Sequence, residues 1–241
     1  MKGLLMLLGE SFRLGGQGTR SRGDDRSYPE QINASKTHIK LIEKIKTQGC
    51  HMDVILSSYT TKFDSDLVNI YKDYIVDNKF YSDCIGMHNL FHTTLERVNR
   101  EKYDFILYIR VDLYLKDMFI DIFNPSWKTI HVPSICFVPY HRENGHPRIN
   151  SMMLFIPKKY FNYLKDIYLL PLGDDGHLLW GHLMNKTDLT YDDLDAMINT
   201  FHDSDSAKDY NPLYYIVNRP QQTIFHSQGY IFNKNTFWKD P

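Results

Sequence analysis

Apolar residues over the first hundred positions fall into two alternating rhythms. Unbroken runs at Leu4–Leu8, in "MDVILSSY" over 52–59 and in "YDFILYIR" over 103–110 read as strands covered on both faces. Between them the spacing lengthens to three and four. Ile32, Ile39, Ile42 and Ile45 give one apolar face to a helix over 28–47. Ser27 is a candidate N-cap for that helix, Pro29 suits its first turn, and Glu30 stands three residues after Ser27 as a capping-box partner. "DSDLVNIYKDYI" over 64–75 and "HNLFHTTLERVNREK" over 88–102 are predicted as the next helices, with a weaker strand in "KFYSDCI" over 79–85 between them.

Strands separated by helices of this length require right-handed crossovers, so the expected fold is α/β: a mixed, mostly parallel central sheet with helices on both faces. The second half has more turns. Short strands are expected at 128–133 and 149–157, helices at 158–168, 176–184 and 190–202, and strands at 213–219 and 222–232. There is no internal repeat and no low-complexity linker. The expectation is one domain over 1–241, with a first lobe over 1–115 and a second over 116–241.

Composition narrows the classes of function. A chain of 241 residues, 42% hydrophobic and 14% aromatic, can bury a substantial core. Its net charge is −1, with Lys and Arg scattered rather than striped, which leaves no electrostatic footprint for nucleic acid. Cys50, Cys84 and Cys136 are odd in number and lack metal-type spacing, as expected of free thiols in a reducing, cytoplasmic setting. The run Leu4–Leu8 is shorter than a signal-peptide core, and no segment reaches the roughly 20 apolar residues of a membrane span.

Two charges break the pattern of a buried strand. Arg110 and Asp112 follow "YDFILYI", where a core strand should have no charge. In parallel sheets ligands bind beyond the carboxyl ends of strands, which gives both residues a reason to be there. A carboxylate so placed suits Mg²⁺ or Mn²⁺ completed by phosphate oxygens. The alternative is that Asp112 pairs with Arg110 or caps the next turn. After the first strand, Arg13, Arg20 and Arg22 lie among Gly15, Gly16, Gly18 and Gly23, where backbone can approach an anion closely. This matches neither the Walker loop nor G-x-G-x-x-G, and a solvated loop is the competing reading.

Together, the alternation of the first hundred residues, the terminal "RVD" of 110–112 and the mixed second half resemble the GT-A glycosyltransferases. The resemblance is to the small enzymes of large algal viruses and to bacterial polysaccharide-synthesis relatives with an R-x-D signature. It implies a nucleotide-sugar donor, UDP- or GDP-linked, whose base sits in the first lobe, and a glycan acceptor over the second. It also implies a Mn²⁺ or Mg²⁺ ion at the diphosphate. The usual motif is Asp-x-Asp, so Arg110 departs from it and Asp112 matches the metal-binding carboxylate.

The same resemblance suggests His226 as a late metal ligand and Asp174 and Asp175, in "GDDG", as the acidic pair before an acceptor-side helix. Asp175 is preferred as the base on the acceptor hydroxyl, with helix capping as the alternative. Arg219 could reach the diphosphate or lie along a strand edge. Trp180 is a candidate acceptor platform. Asp203, Ser204 and Asp205 spell Asp-x-Asp but come too late in the chain for the usual metal strand. Two other functions compete: a catalytically silent nucleotide- or glycan-binding module, and a phosphatase or nucleotidyltransferase built on Asp203 and Asp205.

Overall fold

The computed structural model describes residues 1–15, 21–133, 152–169, 191–193, 208 and 211–218, with backbone only for 165–169 and 191–193. In chain order the elements are β1 (Lys2–Gly9), β2 (Arg13–Leu14), β3 (Ser21–Arg22), α1 (Tyr28–Thr47), β4 (His51–Tyr59), α2 (Asp64–Ile70), β5 (Ile75–Tyr81), α3 (Gly86–Glu96), β6 (Phe105–Arg110), β7 (Leu113–Leu115), α4 (Asp117–Ile122), β8 (Ile130–Val132), β9 (Met153–Pro157), β10 (Tyr191–Asp193) and β11 (Tyr214–Ile216). A long 3₁₀ segment covers Lys158–Leu169.

Seven strands form one sheet in the order β10-β8-β9-β6-β1-β4-β5. β1 pairs parallel with both β4 and β6, β4 with β5, and β8 with β10, while β9 runs antiparallel to β6 and β8. The sheet is therefore mixed and mostly parallel. Its two faces follow from the period of two along each strand. Leu5 and Leu7 of β1 join Val54, Leu56, Leu107 and Ile109 under α1, α2 and α4; Leu4, Met6 and Leu8 join Ile55, Ile106 and Leu154 under α3 and the 3₁₀ segment. Helices thus cover both faces, and Leu4–Leu8 of β1 are apolar at every position because neither face meets water.

Chain direction changes at β1. From β1 the chain steps outward to β4 and β5, then returns to lay β6 on the opposite side of β1. The carboxyl ends of β1 and β6 therefore flank the point where the strand order reverses, the place at which open α/β sheets form ligand crevices.

Several expectations need correction. Ser27 precedes α1, but its side chain makes no cap to the helix; its hydroxyl donates instead to the Asp24 carbonyl at 2.6 Å. The buried face of α1 is more polar than the isoleucine spacing implies: Gln31, Ser35 and His38 are fully buried beside Leu41, Ile42 and Ile45, while Ile32 and Ile39 are only partly covered. The second helix stops at Ile70 and a turn delivers Ile75 to its ladder partner Val54, so the third strand covers 75–81 rather than 79–85. The third helix ends at Glu96, with a single 3₁₀ turn at Arg100–Lys102. Residues 113–122, where the two expected lobes meet, form β7 and α4. Where a helix was expected over 190–202, Tyr191–Asp193 is a strand, because its backbone pairs with Ile130–Val132.

Candidate functional site

The polar end of the sheet is built by three segments. β1 ends at Gly9, whose φ of +121° lets the chain turn sharply away. Glu10, Ser11, Phe12 and Arg13 follow. Phe12 has a φ of +48°, a left-handed conformation uncommon for a bulky side chain. Packing maintains it: the fully buried ring stacks on Tyr28 at 5.6 Å and meets Phe63 at 4.9 Å. From β4, Ser58 donates its hydroxyl to the Gly9 carbonyl at 2.8 Å and accepts from the Ser11 amide at 3.2 Å. From β6, Arg110 stands in register with Leu8, and the Val111 amide donates to the Leu8 carbonyl at 2.8 Å.

Gln31 of α1 locks this edge. Its side-chain oxygen accepts from the Phe12 amide at 3.2 Å and its nitrogen donates to the Val111 carbonyl at 2.8 Å. One buried amide side chain therefore spaces the turn after β1 from the end of β6.

Two arginine–carboxylate pairs occupy the edge. Arg13 donates from Nη1 to Glu10 at 3.1 Å and from Nε to the Gly15 carbonyl at 3.2 Å. Arg110 donates from Nε and Nη2 to the two oxygens of Asp112, at 2.8 and 2.6 Å. All four side chains are buried, Asp112 most completely at 1% exposure. Burial works against the Arg110 charge, but the charge and hydrogen bonds of Asp112 outweigh it and raise its hold on its proton, with Glu10 adding a smaller contribution. Tyr59, at the end of β4, has its hydroxyl pushed up chiefly by burial, then by the neighbouring Cys84 and Glu10 charges. Arg22 lies over the Tyr59 ring at 5.0 Å.

Of the expected site residues, the fold thus brings Arg13, Arg110 and Asp112 to the ends of neighbouring strands. Arg22 is exposed on β3, which pairs with β2 so that Arg13 and Arg22 are register partners. Arg20, Asp174, Asp175, Trp180, Asp203, Ser204, Asp205, Arg219 and His226 lie outside the described residues. Sequence reasoning missed Glu10, Gln31 and Ser58. For Glu10 a signal existed: an acid three residues before Arg13, directly after a buried strand.

Among the described residues no cluster of three or more His, Cys, Asp or Glu side chains is arranged around a common point. Both Asp112 oxygens accept from Arg110 and the carboxylate is 1% exposed, so a cation held there would share it with the guanidinium and take the rest of its shell from phosphate and water oxygens.

These features define the molecule as a mixed α/β protein with a charged edge at its topological switch point. No family model and no curated protein matches the sequence. Similar solved structures include a glycosyltransferase involved in glycosylation of the major capsid of PBCV-1, with a TM-score of 0.47, 9% identity, and coverage of 90% of this chain and 92% of that one. Drosophila β-1,4-galactosyltransferase 7, in a mutant complex with manganese, UDP-Gal and xylobiose, has a TM-score of 0.45 at 13% identity, covering 90% of this chain and 70% of that one. The glycosyltransferase GlyE of Streptococcus pneumoniae has a TM-score of 0.44 at 13% identity, covering 81% of this chain and 45% of that one.

Proposed function

We propose that this chain is a GT-A-like glycosyltransferase that moves a sugar from a nucleotide-diphosphate sugar to a glycan acceptor. The observation that carries this reading is the placement of Arg110 at the carboxyl end of β6 and of Arg13 on β2, four residues after β1 ends, both at the switch-point edge of the sheet. Two guanidinium groups there suit a diphosphate, whose negative charge grows as the bond to the sugar breaks.

The chemistry follows from how Arg110 is held. Asp112 engages its Nε–Nη2 edge, while Nη1 takes part in neither of the two bonds to Asp112. A guanidinium has five N–H donors, so a phosphate oxygen can bind the other edge without breaking the pair. Asp112 thereby orients Arg110, and Gln31 fixes the spacing to the turn that carries Arg13. A Mn²⁺ or Mg²⁺ ion held by Asp112 would neutralise further charge on the leaving diphosphate. Asp175, with Asp174 beside it, is assigned the base on the acceptor hydroxyl. His226 is assigned to the cation, and Arg20, Arg22 and Arg219 to the diphosphate. The first lobe, 1–115, would then hold the nucleotide and the second, 116–241, the acceptor. A cytoplasmic setting, in the host cell if the protein is viral, fits this assignment; among the described residues no helix is long and apolar enough to cross a membrane.

Calorimetric titration with UDP and GDP, each with and without Mn²⁺, tests the reading. Arg110→Lys keeps the charge but loses the fork, and the expected result is at least about tenfold weaker nucleotide binding. Equal binding by the native chain and Arg110→Lys would overturn the assignment. Slow release of free sugar from the donor separates a transferase from a silent binding module, which releases none.

A further inference from the structure

β5 closes one end of the sheet, and among the described residues it has a strand neighbour on one side only, β4. Its regular part runs from Asp77, opposite Ile55, to Tyr81, opposite Tyr59, beyond a register shift at Val54/Ile55. The Thr60 amide donates to the Tyr81 carbonyl at 2.9 Å. Tyr81 therefore turns its backbone groups toward β4, as Asp77 and Lys79 do by the period of two, and the N–H and C=O groups of Asn78 and Phe80 point to the open side. Asn78 and Lys79 are exposed, and Val76, at 56%, is one of the exposed large apolar side chains among the described residues.

We propose that this edge pairs antiparallel with the same strand of a second copy, about a two-fold axis through Asn78, joining the two sheets into one. The sequence "IVDNKFY" complements itself in that register alone. Asn78 faces Asn78 of the second copy, Asp77 faces its Lys79, and Val76 faces its Phe80. Centring on Asp77 would oppose two aspartates, and centring on Lys79 two lysines. Centring on Asn78 also opposes outward-pointing residues of the regular part, so that the Asn78–Asn78 pair exchanges backbone hydrogen bonds. Asp77 and Lys79 then fall at the closer, non-hydrogen-bonded positions, where opposite charges gain most. Asp77 already receives the Arg97 Nε at 2.7 Å, which holds its carboxylate on the face where Lys79 of the second copy arrives. The symmetry is isologous and closes at two copies, which removes the open edge from solution.

Sedimentation of the full chain over a dilution series tests this, and the expected result is a reversible dimer. Asn78→Pro removes an outward N–H that β4 does not use, and Lys79→Glu sets acid against Asp77; each should weaken self-association at least about tenfold. Lys72→Glu, the same charge change in the turn before β5, should leave it unaltered. Circular dichroism checks the fold, and Lys79→Glu, an exposed side chain, carries the test if Asn78→Pro unfolds. A native chain that stays monomeric up to about 100 µM would overturn the proposal, as would a dimer indifferent to both changes. Strong exchange protection of the Asn78 and Phe80 amides in dilute monomer would also overturn it, because another segment of the same chain would then hold the edge.

Discussion

Arg110 and Asp112 form a two-pronged ion pair at the end of β6, with Nε and Nη2 at 2.8 and 2.6 Å from the two carboxylate oxygens and the carboxylate only 1% exposed. A charge buried so deeply is tolerable only while its partner remains, since removing one member leaves the other desolvated. The chain turns at Val111 and Asp112, between β6 and β7, and the pair joins the last residue of β6 to that turn.

The first prediction concerns this pair. Asp112→Ala should cost about 3–5 kcal/mol in urea unfolding, because Arg110 keeps its burial and loses its counter-charge. Arg110→Met combined with Asp112→Leu should recover most of that loss while abolishing nucleotide binding. Additive costs in the double variant would show that the two residues do not act as a unit.

Gln31 supplies the second. Replacement by Leu leaves the Phe12 amide and the Val111 carbonyl without their side-chain partner, at an expected cost of about 1–3 kcal/mol. Because the same amide spaces the two arginine-bearing segments, nucleotide affinity should fall more than stability alone explains. Calorimetry at a temperature where the variant is fully folded measures this directly.

His38 supplies a pH dependence. It is buried on α1 between the Tyr71 hydroxyl and the Leu113 carbonyl, each at 2.8 Å, so its Nε2 donates to the carbonyl and its Nδ1 accepts from the tyrosine. Burial lowers its pKa from 6.5 to about 4, against smaller raising effects from Leu113 and Asp112. The unfolded chain therefore takes up the proton first as pH falls. Stability should be constant with respect to this group above about pH 6.5 and decline between pH 6.5 and 4, by roughly 3 kcal/mol in all. His38→Gln should be less stable at pH 7 yet lose less on acidification; thermal unfolding of both chains across that window reads the difference in slope.

Gly3 supplies a packing test. A Cβ at this position would overlap the Phe105 ring and approach the Met52 sulfur to 2.6 Å. Phe105 cannot swing aside, because Phe155 and Phe123 pack around it at 5.1 and 6.4 Å. Gly3→Ala should therefore destabilise by about 1–3 kcal/mol, and adding Phe105→Leu should restore part of the loss. An unchanged midpoint in Gly3→Ala would mean the β1–β6 contact is looser than these distances imply.

Periodicity was a good guide wherever one short stretch faced one environment. Leu4–Leu8 is apolar at every position because helices cover both faces of β1, and α1 spans Tyr28–Thr47 as the isoleucine spacing and Pro29 implied. It failed where pairing overrode local preference. Tyr191–Asp193 is extended because β8 offers a ladder, and the weak third strand starts early because Val54 meets Ile75. The polar side of α1 misled for a related reason: Gln31 and His38 look like solvent-facing residues until the Val111 and Leu113 carbonyls are placed beside them.

The sequence alone determined the alternation of strand and helix, the mostly parallel sheet and the presence of charge at the end of β6, because each is written in residues within a few positions of one another. Only the tertiary structure decided that Glu10 and Arg13 sit at the same edge as Arg110 and Asp112, and that Gln31 spans them. Those contacts join segments tens of residues apart, and no local pattern encodes a distance that arises only when β6 is laid down beside β1.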